Sequence, residues 1–237
     1  MKLNTKYRTT DPEIMDDFAL EGAQLLDALD KIAQINQLLG GNTLTLNGVK
    51  NLISKIPNGQ MNTIIDLGCG NGDMLRTLAD YAERNKLNFK LIGTDANPFT
   101  VNYAINSSIK YPNIEYLSED IFETNFENIN FDIALCTLTL HHFKDNDIIR
   151  IIENLERHAK LGIVVNDLHR SKIAYRLFQL IAVAFKLNEM SRKDGLTSIL
   201  RGFKKEELIR FSRKLQNSNS EIQWKWAFRY QWIITKL

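Results

Sequence analysis

The spacing of hydrophobic residues changes near residue 61. Before it, "FALEGAQLLDALDKIAQINQLLGG" carries leucine and isoleucine at helical spacing and stops at Gly40-Gly41, which predicts a helix. "LNGVKNLISKI" predicts a second, short helix that Pro57 ends. After residue 61, short apolar runs alternate with amphipathic stretches, which predicts alternating strands and helices.

The predicted strands are near-continuous apolar runs, which is typical of strands covered on both faces, as in a parallel sheet. They are "NTIIDLG", "FKLIGTDAN", "IEYLSED", "FDIALCTLTLHHF" with its loop, and "LGIVVNDLH". The helices between them are "DMLRTLADYAERN", "PFTVNYAINSSIKY", which opens on Pro98, and "DNDIIRIIENLERHA". The pattern predicts an α/β fold with a mostly parallel sheet and helices on both faces.

The regular alternation ends after residue 170. "SKIAYRLFQLIAVAFKL" predicts a strongly apolar helix, and "NEMSRKDGLTSILRGF" is interpreted as a loop. "KKEELIRFSRKLQ" predicts a helix, and "EIQWKWAF" with "RYQWIITKL" predicts a closing β-pair. We expect one domain over residues 1–237, made of a helical extension (1–60), a core (61–170), a lid region (171–203) and a last helix with the β-pair (204–237).

Composition and charge exclude several classes of protein. A length of 237 residues suits one domain, and a net charge of +2 with mixed signs does not favour nucleic-acid binding. Cys69 and Cys136 form no CxxC pair, so we expect two packing residues in a reducing cytoplasm and neither a disulfide framework nor a metal site. The N-terminus has no apolar signal region, and no segment has the ~20 apolar residues of a membrane span.

Three glycines, Gly68, Gly70 and Gly72, follow the first predicted strand in "TIIDLGCGNGDML". Without Cβ atoms the backbone can turn tightly and approach a ligand closely. The spacing is one residue short of the dinucleotide fingerprint, and no lysine follows as in a P-loop. Asp73 opens the next helix, and its carboxylate favours a cationic ligand over a pyrophosphate.

At these residues the chain resembles a known family. "IIDLGCGNGD" resembles the glycine-rich first motif of the class I S-adenosylmethionine-dependent methyltransferases. "LIGTDAN", "LSEDIFE" and "FDIALCTLTLHHF" resemble the second, third and fourth motifs, in the same order, within residues 62–169. The resemblance implies an enzyme that uses S-adenosyl-L-methionine, with a Rossmann-like seven-stranded sheet whose last strand is antiparallel.

The resemblance also implies a set of cofactor contacts. Asp95 would bind the ribose hydroxyls, Asp120 the adenine amino group, and the backbone at Gly68 and Gly70 the methionine part, while Asp66 would hold the loop. Two alternatives stay open: Asp95 could cap the following helix, and Asp120 could be a solvated loop acid. The implied cofactor-binding residues are Asp66, Gly68, Cys69, Gly70, Asp95, Ala96, Asp120, Ile121 and Thr137.

Three of the four histidines follow strands at the predicted site: His141 and His142 follow the fourth strand and His169 the fifth. A phenol has a pKa near 10, so an imidazole is a suitable general base. We expect His169 to be the base, oriented by Asp167, with His142 and His141 as the other candidates. One of the two adjacent histidines is expected to pack against the cofactor or backbone, and His158 to be structural.

One segment of the sequence differs from a known family signature, and this difference restricts the type of methyl acceptor that we expect. "TLTLHHF" stands where amino-N methyltransferases carry an Asn/Asp-Pro-Pro-aromatic signature, which favours oxygen or carbon acceptors on a small molecule. Segments such as "VVNDLHRSKIAYRLFQLIAVAFKL" resemble a subgroup of polyketide or phenolic-lipid methyltransferases. O-methylation of an aromatic or polyketide-like acceptor is the leading hypothesis. C-methylation of a quinone or lipid precursor and an inactive cofactor-binding partner subunit are the alternatives.

The apolar helix over residues 171–187 allows two interpretations. It is either buried in the core or a lid over an apolar acceptor. Its basic flanks leave peripheral membrane contact open; they are Arg170, Lys172, Arg176, Lys186, Arg192 and Lys193. The sequence leaves the acceptor's identity and the oligomeric state undetermined.

Overall fold

A computed structural model describes residues 3–54, 59–124 and 126–237. Within them lies a seven-stranded sheet with the strand order β3-β2-β1-β4-β5-β7-β6. The strands are β1 (Met61–Leu67), β2 (Asn88–Asp95), β3 (Ile114–Ser118), β4 (Ile133–Thr137), β5 (Gly162–Leu168), β6 (Ser218–Lys225) and β7 (Arg229–Lys236). Strands β1 to β5 are parallel, and β7 is antiparallel to both its neighbours, which confirms the predicted sheet.

The helices of the described residues flank this sheet and extend it at the N-terminus. They are α1 (Ala23–Leu38), α2 (Gly41–Ile53), α3 (Asp73–Asn85), α4 (Pro98–Ser107), α5 (Asp145–His158), α6 (Lys172–Ala184), α7 (Glu189–Arg201) and α8 (Lys205–Ser212). Short 3-10 turns span Ile14–Asp16, Phe126–Asn128 and Leu140–His142. Helix α3 begins at Asp73 and α4 at Pro98, as the sequence predicts.

The sheet buries apolar side chains on both faces. In β1, Ile64 packs with α2 and α3 residues such as Leu52 and Leu75, while Ile65 packs on the other face with Ile151 of α5. Successive strand residues point to opposite faces, so a strand covered on both sides needs an unbroken apolar run. Burial on both faces explains why the strand sequences are continuous runs of apolar residues and do not alternate between apolar and polar residues.

The segment interpreted as a loop, residues 188–203, is a helix in the structure, so that prediction was wrong. Asn188 caps α7 by accepting a hydrogen bond from Ser191 N at 2.8 Å, and side-chain caps of this kind stabilise a helix start. Gly195 lies inside the helix, where an added Cβ would come within 2.2 Å of the Phe178 ring. Packing of α6 on α7 therefore selects the glycine, and the glycine does not break the helix.

Helix α2 also differs from the prediction at its start. It begins at Gly41, five residues before the predicted segment, because Gly40 adopts a left-handed conformation at φ 77° and separates it from α1. The predicted stop at Pro57 lies outside the described residues.

The N-terminal segment before α1 crosses to the far side of the site and docks on α7. Ile14 N and Met15 N donate to the Asp194 carboxylate at 2.8 and 3.0 Å. Arg8 reaches the same region, where its Nη2 donates to the carbonyls of His141 and Phe143. The N-terminal segment is thereby fixed beside the loop that follows β4.

Among the described residues, no helix has the length and apolar content needed to cross a bilayer.

Candidate active site

A cavity of about 740 Å³ opens at the carboxyl ends of the parallel strands, where α/β folds bind ligands. Its wall includes all twelve residues expected to form the site. They are Asp66, Gly68, Cys69, Gly70, Asp95, Ala96, Asp120, Ile121, Thr137, His141, His142 and His169. Helices α1, α6 and α7 and the N-terminal segment complete the wall.

The glycine loop after β1 has the conformation that glycine favours. Gly68 and Gly70 have φ values of 67° and 54°, in the left-handed region. A Cβ on Gly70 would meet only a Leu29 methyl carbon at 3.7 Å, so this face of the loop is open to the cavity. The backbone can therefore approach a ligand here.

Asp95 ties the glycine loop to the end of β2. Its Oδ2 accepts from Gly70 N at 3.1 Å and its Oδ1 from Asn97 N at 3.0 Å. Asn97, and not Asp95, caps α4, since the Asn97 side chain accepts from Thr100 N at 3.1 Å. Burial raises the pKa of the Asp95 carboxyl. Asn97 therefore has the helix-capping role that was the alternative interpretation of Asp95.

Asp66 does not hold the loop, contrary to the expectation. Its Oδ1 is buried and has no hydrogen-bond partner among the described residues. The loop is held instead by Thr139 Oγ1, which donates to Leu67 O at 2.8 Å, and by Cys69 N, which donates to Thr94 O at 3.0 Å. The Thr139 side chain and the backbone of β2 supply these contacts, and the Asp66 carboxyl lies in the cavity wall.

Burial, followed by the charges of Asp95 and Asp73, raises the pKa of Asp66 to about 8. Without a ligand Asp66 is therefore mostly neutral at pH 7, and a cation bound beside it would favour its ionised form, since an opposite charge stabilises a carboxylate. The carboxyl groups of Asp66, Asp95 and Asp73 suit a cationic ligand, such as a sulfonium with an α-amino group. They disfavour a pyrophosphate, which is negatively charged.

Asp120 lies after β3 and is half-buried in the cavity wall. Its Oδ1 accepts from Phe122 N at 2.9 Å, which shapes the turn that follows. It is therefore a turn-forming residue at the cavity and not a solvated loop acid.

His141 pairs with Asp167, so the expectation that Asp167 orients His169 was wrong. His141 Nδ1 lies 2.7 Å from Asp167 Oδ1, and its backbone N donates to Asp167 Oδ2 at 3.2 Å. Although burial opposes it, the interaction with His141 lowers the pKa of Asp167. His141 Nε2 is buried without a hydrogen-bond partner in the described structure, 3.8 Å from Glu13 Oε1.

His142 pairs with Asp16 of the N-terminal segment. Its Nδ1 lies 2.7 Å from Asp16 Oδ1. A carboxylate only accepts, so in the neutral ring Nδ1 carries the proton and Nε2 has a lone pair, with no hydrogen-bond partner among the described residues. Burial raises the pKa of Asp16, but the hydrogen bonds from His142 and Arg201 outweigh it and hold that pKa well below its usual range.

His169 has the opposite tautomer. Its Nδ1 accepts the indole Nε1–H of Trp224 at 3.1 Å, and an indole nitrogen only donates. A neutral His169 therefore carries its proton on Nε2. Burial, followed by the charges of Lys204 and Arg170, lowers its pKa, which keeps the ring neutral at pH 7.

Glu13, His141 and His142 each place one potential ligand atom within 4.8 Å of the others. Arg201 already brings a positive charge to this cluster, since its Nη1 lies 3.3 Å from Glu13 Oε1 and 2.6 Å from Asp16 Oδ2. The positive charge of the Arg201 guanidinium compensates the negative charges of Glu13 and Asp16, as a metal ion would. We therefore assign no metal to this cluster.

Sequence reasoning missed Glu13, Asp16 and Arg201. Asp16 and Arg201 are separated by 185 positions in the chain, and neither lies in a recognisable motif. The only local signal is the acidic cluster "DPEIMDD", which a solvated segment would also show.

Residues 64–162 match the model of a family described as "Methyltransferase domain". This match identifies a methyltransferase domain over residues 64–162, which is less than half of the chain. The glycine loop, with an Asp66 carboxyl that has no hydrogen-bond partner among the described residues, fits a cationic ligand such as S-adenosylmethionine.

One curated relative and two solved structures illustrate this assignment. The domain is 27% identical over 116 residues to ribosomal RNA large subunit methyltransferase G of Shewanella denitrificans, a match that covers 47% of this chain. It covers 29% of the relative, so the chain spans under a third of that protein's length.

The plantazolicin methyltransferase BpumL, solved with S-adenosylhomocysteine (SAH), superimposes with a TM-score of 0.65 and 14% identity, over 88% of this chain and 89% of that one. Magnesium protoporphyrin IX methyltransferase from Synechocystis PCC 6803, solved with S-adenosylmethionine (SAM), gives a TM-score of 0.55 and 13% identity, over 86% and 84%. At these identities the likeness shows the fold of the methyltransferase domain.

Proposed function

We propose that the protein transfers the methyl group of S-adenosylmethionine to an oxygen of a small, apolar, aromatic or polyketide-like acceptor. The observation that carries the proposal is the His142–Asp16 pair at 2.7 Å, which leaves an imidazole lone pair free in the wall of the cavity. An O–H acceptor needs such a base, because its proton must leave as the new bond to carbon forms.

The cofactor half of the cavity is the edge formed by β1, β2 and β3. The backbone at Gly68 and Gly70 would lie against the methionine part, with Asp66 near its positive charges. Asp95 and Asp120 line this edge of the cavity and would accept hydrogen bonds from the ribose and the adenine amino group. When bound, the cofactor supplies an activated methyl group on a cationic sulfur.

The acceptor half is mostly apolar. Phe178 and Ile181 of α6, Met15 and Phe18 of the N-terminal segment, and Trp226 of the β6–β7 turn line it. Apolar walls with few polar groups exclude water and hold an apolar acceptor in line with the methyl group. This lining favours an aromatic or polyketide-like compound over a charged one.

Two histidines would then share the chemistry at the acceptor oxygen. His142 Nε2 accepts the hydroxyl proton, and the nearby Asp16 carboxylate stabilises the resulting imidazolium. The oxygen electron pair forms the bond to the methyl carbon, and the carbon–sulfur bond breaks with its electrons left on sulfur. His169 is placed to donate from Nε2, which would orient the acceptor and not deprotonate it.

C-methylation is the second candidate. The citrinin polyketide synthase CMeT domain and the CurJ carbon methyltransferase each superimpose with a TM-score of 0.58, at 14% and 13% identity. An acidic carbon between two carbonyls could lose its proton to the same His142. The net charge of +2 does not favour a nucleic-acid substrate.

Isotope-labelled cofactor separates the two candidates. The purified chain is incubated with methyl-¹³C S-adenosylmethionine and a panel of alkylphenols and β-diketones, and the product is analysed by ¹³C NMR. A labelled methyl ether supports the proposal, and a labelled C-methyl group favours the second candidate. Cofactor binding without methylation of any panel member, and without methylation of compounds extracted from the source cells, would favour the inactive partner subunit.

A further inference from the structure

Helix α6 exposes a stripe of large apolar side chains. Ile173, Leu177, Leu180 and Val183 are 62%, 43%, 68% and 76% exposed. The first three lie at i, i+4 and i+7, on one helix face. A helix that is apolar almost all round is normally buried, yet of α6 only Ala174 and Ala182 are buried. The stripe therefore has no protein cover from the described residues.

This stripe is continuous with the mouth of the active-site cavity. Leu177 and Leu180 line the cavity and are also exposed to solvent. Phe18 and Trp226, 50% and 73% exposed, line the same cavity. The entrance is thus rimmed by large apolar side chains, including a tryptophan, the residue type enriched at membrane–water interfaces.

The charged residues within α6 and just after it are all positive. Lys172, Arg176 and Lys186 are exposed, and the sequence between Leu168 and Asn188 contains no Asp or Glu. Lys172 and Arg176 are one turn apart, so they follow one edge of the stripe. Basic residues beside an apolar helix face are typical of helices that lie on anionic membranes.

We propose that the α6 face, defined as Lys172, Ile173, Arg176, Leu180 and Val183, docks on the surface of a bilayer that contains anionic phospholipids. The apolar stripe enters the boundary between headgroups and acyl chains, and the cations contact lipid phosphates. A second copy of the chain is a poorer partner, because both copies would bring positively charged residues of α6 to the same contact. Charge complementarity thus favours the anionic surface.

Docking would place the cavity entrance at the lipid. If the proposed function is right, an apolar acceptor dissolved in the bilayer could enter the cavity without crossing water. Membrane binding itself requires no methyl transfer, so it can be tested without an acceptor.

Vesicle sedimentation tests the docking. The full chain is mixed with vesicles of pure phosphatidylcholine or of phosphatidylcholine with phosphatidylglycerol, at low and high salt. We expect the chain to sediment with the anionic vesicles only, and less so at high salt. Ile173→Ser/Val183→Ser should weaken binding at least about tenfold, since it removes apolar area that would enter the lipid. Neither residue lines the cavity.

The matched control is Ile105→Ser/Ile109→Ser, which changes two exposed isoleucines at the end of α4 and should bind as the wild type does. Arg176→Gln should weaken binding about fivefold, whereas Lys110→Gln should not. Failure of the wild type to sediment would overturn the proposal, as would an equal loss in the control variants. So would a wild-type dimer that Ile173→Ser/Val183→Ser dissociates, since a second copy would then cover the stripe.

Discussion

The indole Nε1–H of Trp224 donates to Nδ1 of His169 at 3.1 Å, and this contact determines the tautomer of the neutral His169 ring. The bond occupies the Nδ1 lone pair and leaves the proton of the neutral ring on Nε2. His142 has the reverse arrangement, because Asp16 accepts from its Nδ1. Of the two histidines, only His142 presents a free lone pair.

The first prediction concerns the rate. His142→Gln should lower kcat by about 10²–10⁴, the usual contribution of a general base, with the dissociation constant of the cofactor unchanged. The acidic limb of the pH–rate profile should disappear. His169→Gln should keep that limb and mainly raise the KM of the acceptor, because a glutamine amide can still donate a hydrogen bond. If His169→Gln loses the limb and His142→Gln keeps it, the assignment is reversed.

The second prediction concerns Asp66 and the pH dependence of stability. Its pKa of about 8 in the folded state lies above the value of about 3.9 for a free aspartate. The folded state therefore binds more protons than the unfolded state between these values, so this group's contribution to stability falls as pH rises from about 4 to about 8. In the cofactor-free protein, Asp66→Asn should remove this fall in stability with rising pH.

Thermal unfolding of the cofactor-free protein at several pH values measures the effect. The melting temperature of Asp66→Asn minus that of the wild type should increase between pH 5 and pH 8.5. Glu123→Gln, at an exposed carboxylate, is the control and should show a constant difference. A difference for Asp66→Asn that also stays constant with pH would contradict the raised pKa.

The third prediction concerns cofactor affinity. Asp95→Ala removes the acceptor proposed for the ribose and releases Gly70 N, so S-adenosylhomocysteine should bind about tenfold more weakly or worse. Isothermal titration calorimetry checks this, with Glu83→Ala on the exposed side of α3 as the control. Wild-type affinity in Asp95→Ala, or tight binding of NAD by the wild type, would be incompatible with the proposed cofactor pose.

The fourth prediction concerns the acceptor side. Leu177→Ser replaces a partly exposed leucine that lines the cavity from α6. We expect the KM of the acceptor to rise about three- to tenfold through lost apolar contact, while the KM of the cofactor and the melting temperature change little. Steady-state kinetics with each substrate varied in turn checks this. Equal changes in both KM values would show that α6 acts on the whole domain and not on the acceptor.

Part of the site could be predicted from the sequence because its residues belong to strand ends. Gly68, Asp95 and Asp120 each lie at or just after the end of a predicted strand, and a parallel sheet brings the carboxyl ends of its strands to one edge. The local pattern therefore implied that they meet, without any knowledge of side-chain contacts. The same reasoning placed His141, His142 and His169 at that edge, and all three line the cavity.

The pairing of those histidines was decided only by the tertiary structure. Asp167 is two residues from His169 but bonds His141, because the loop after β4 brings that ring against the end of β5. Asp16 reaches His142 across 126 positions, and Trp224 reaches His169 across 55. A hydrogen bond depends on distances of about 3 Å and on direction. Such contacts between distant segments arise when the segments pack, and they leave no periodic pattern in the chain.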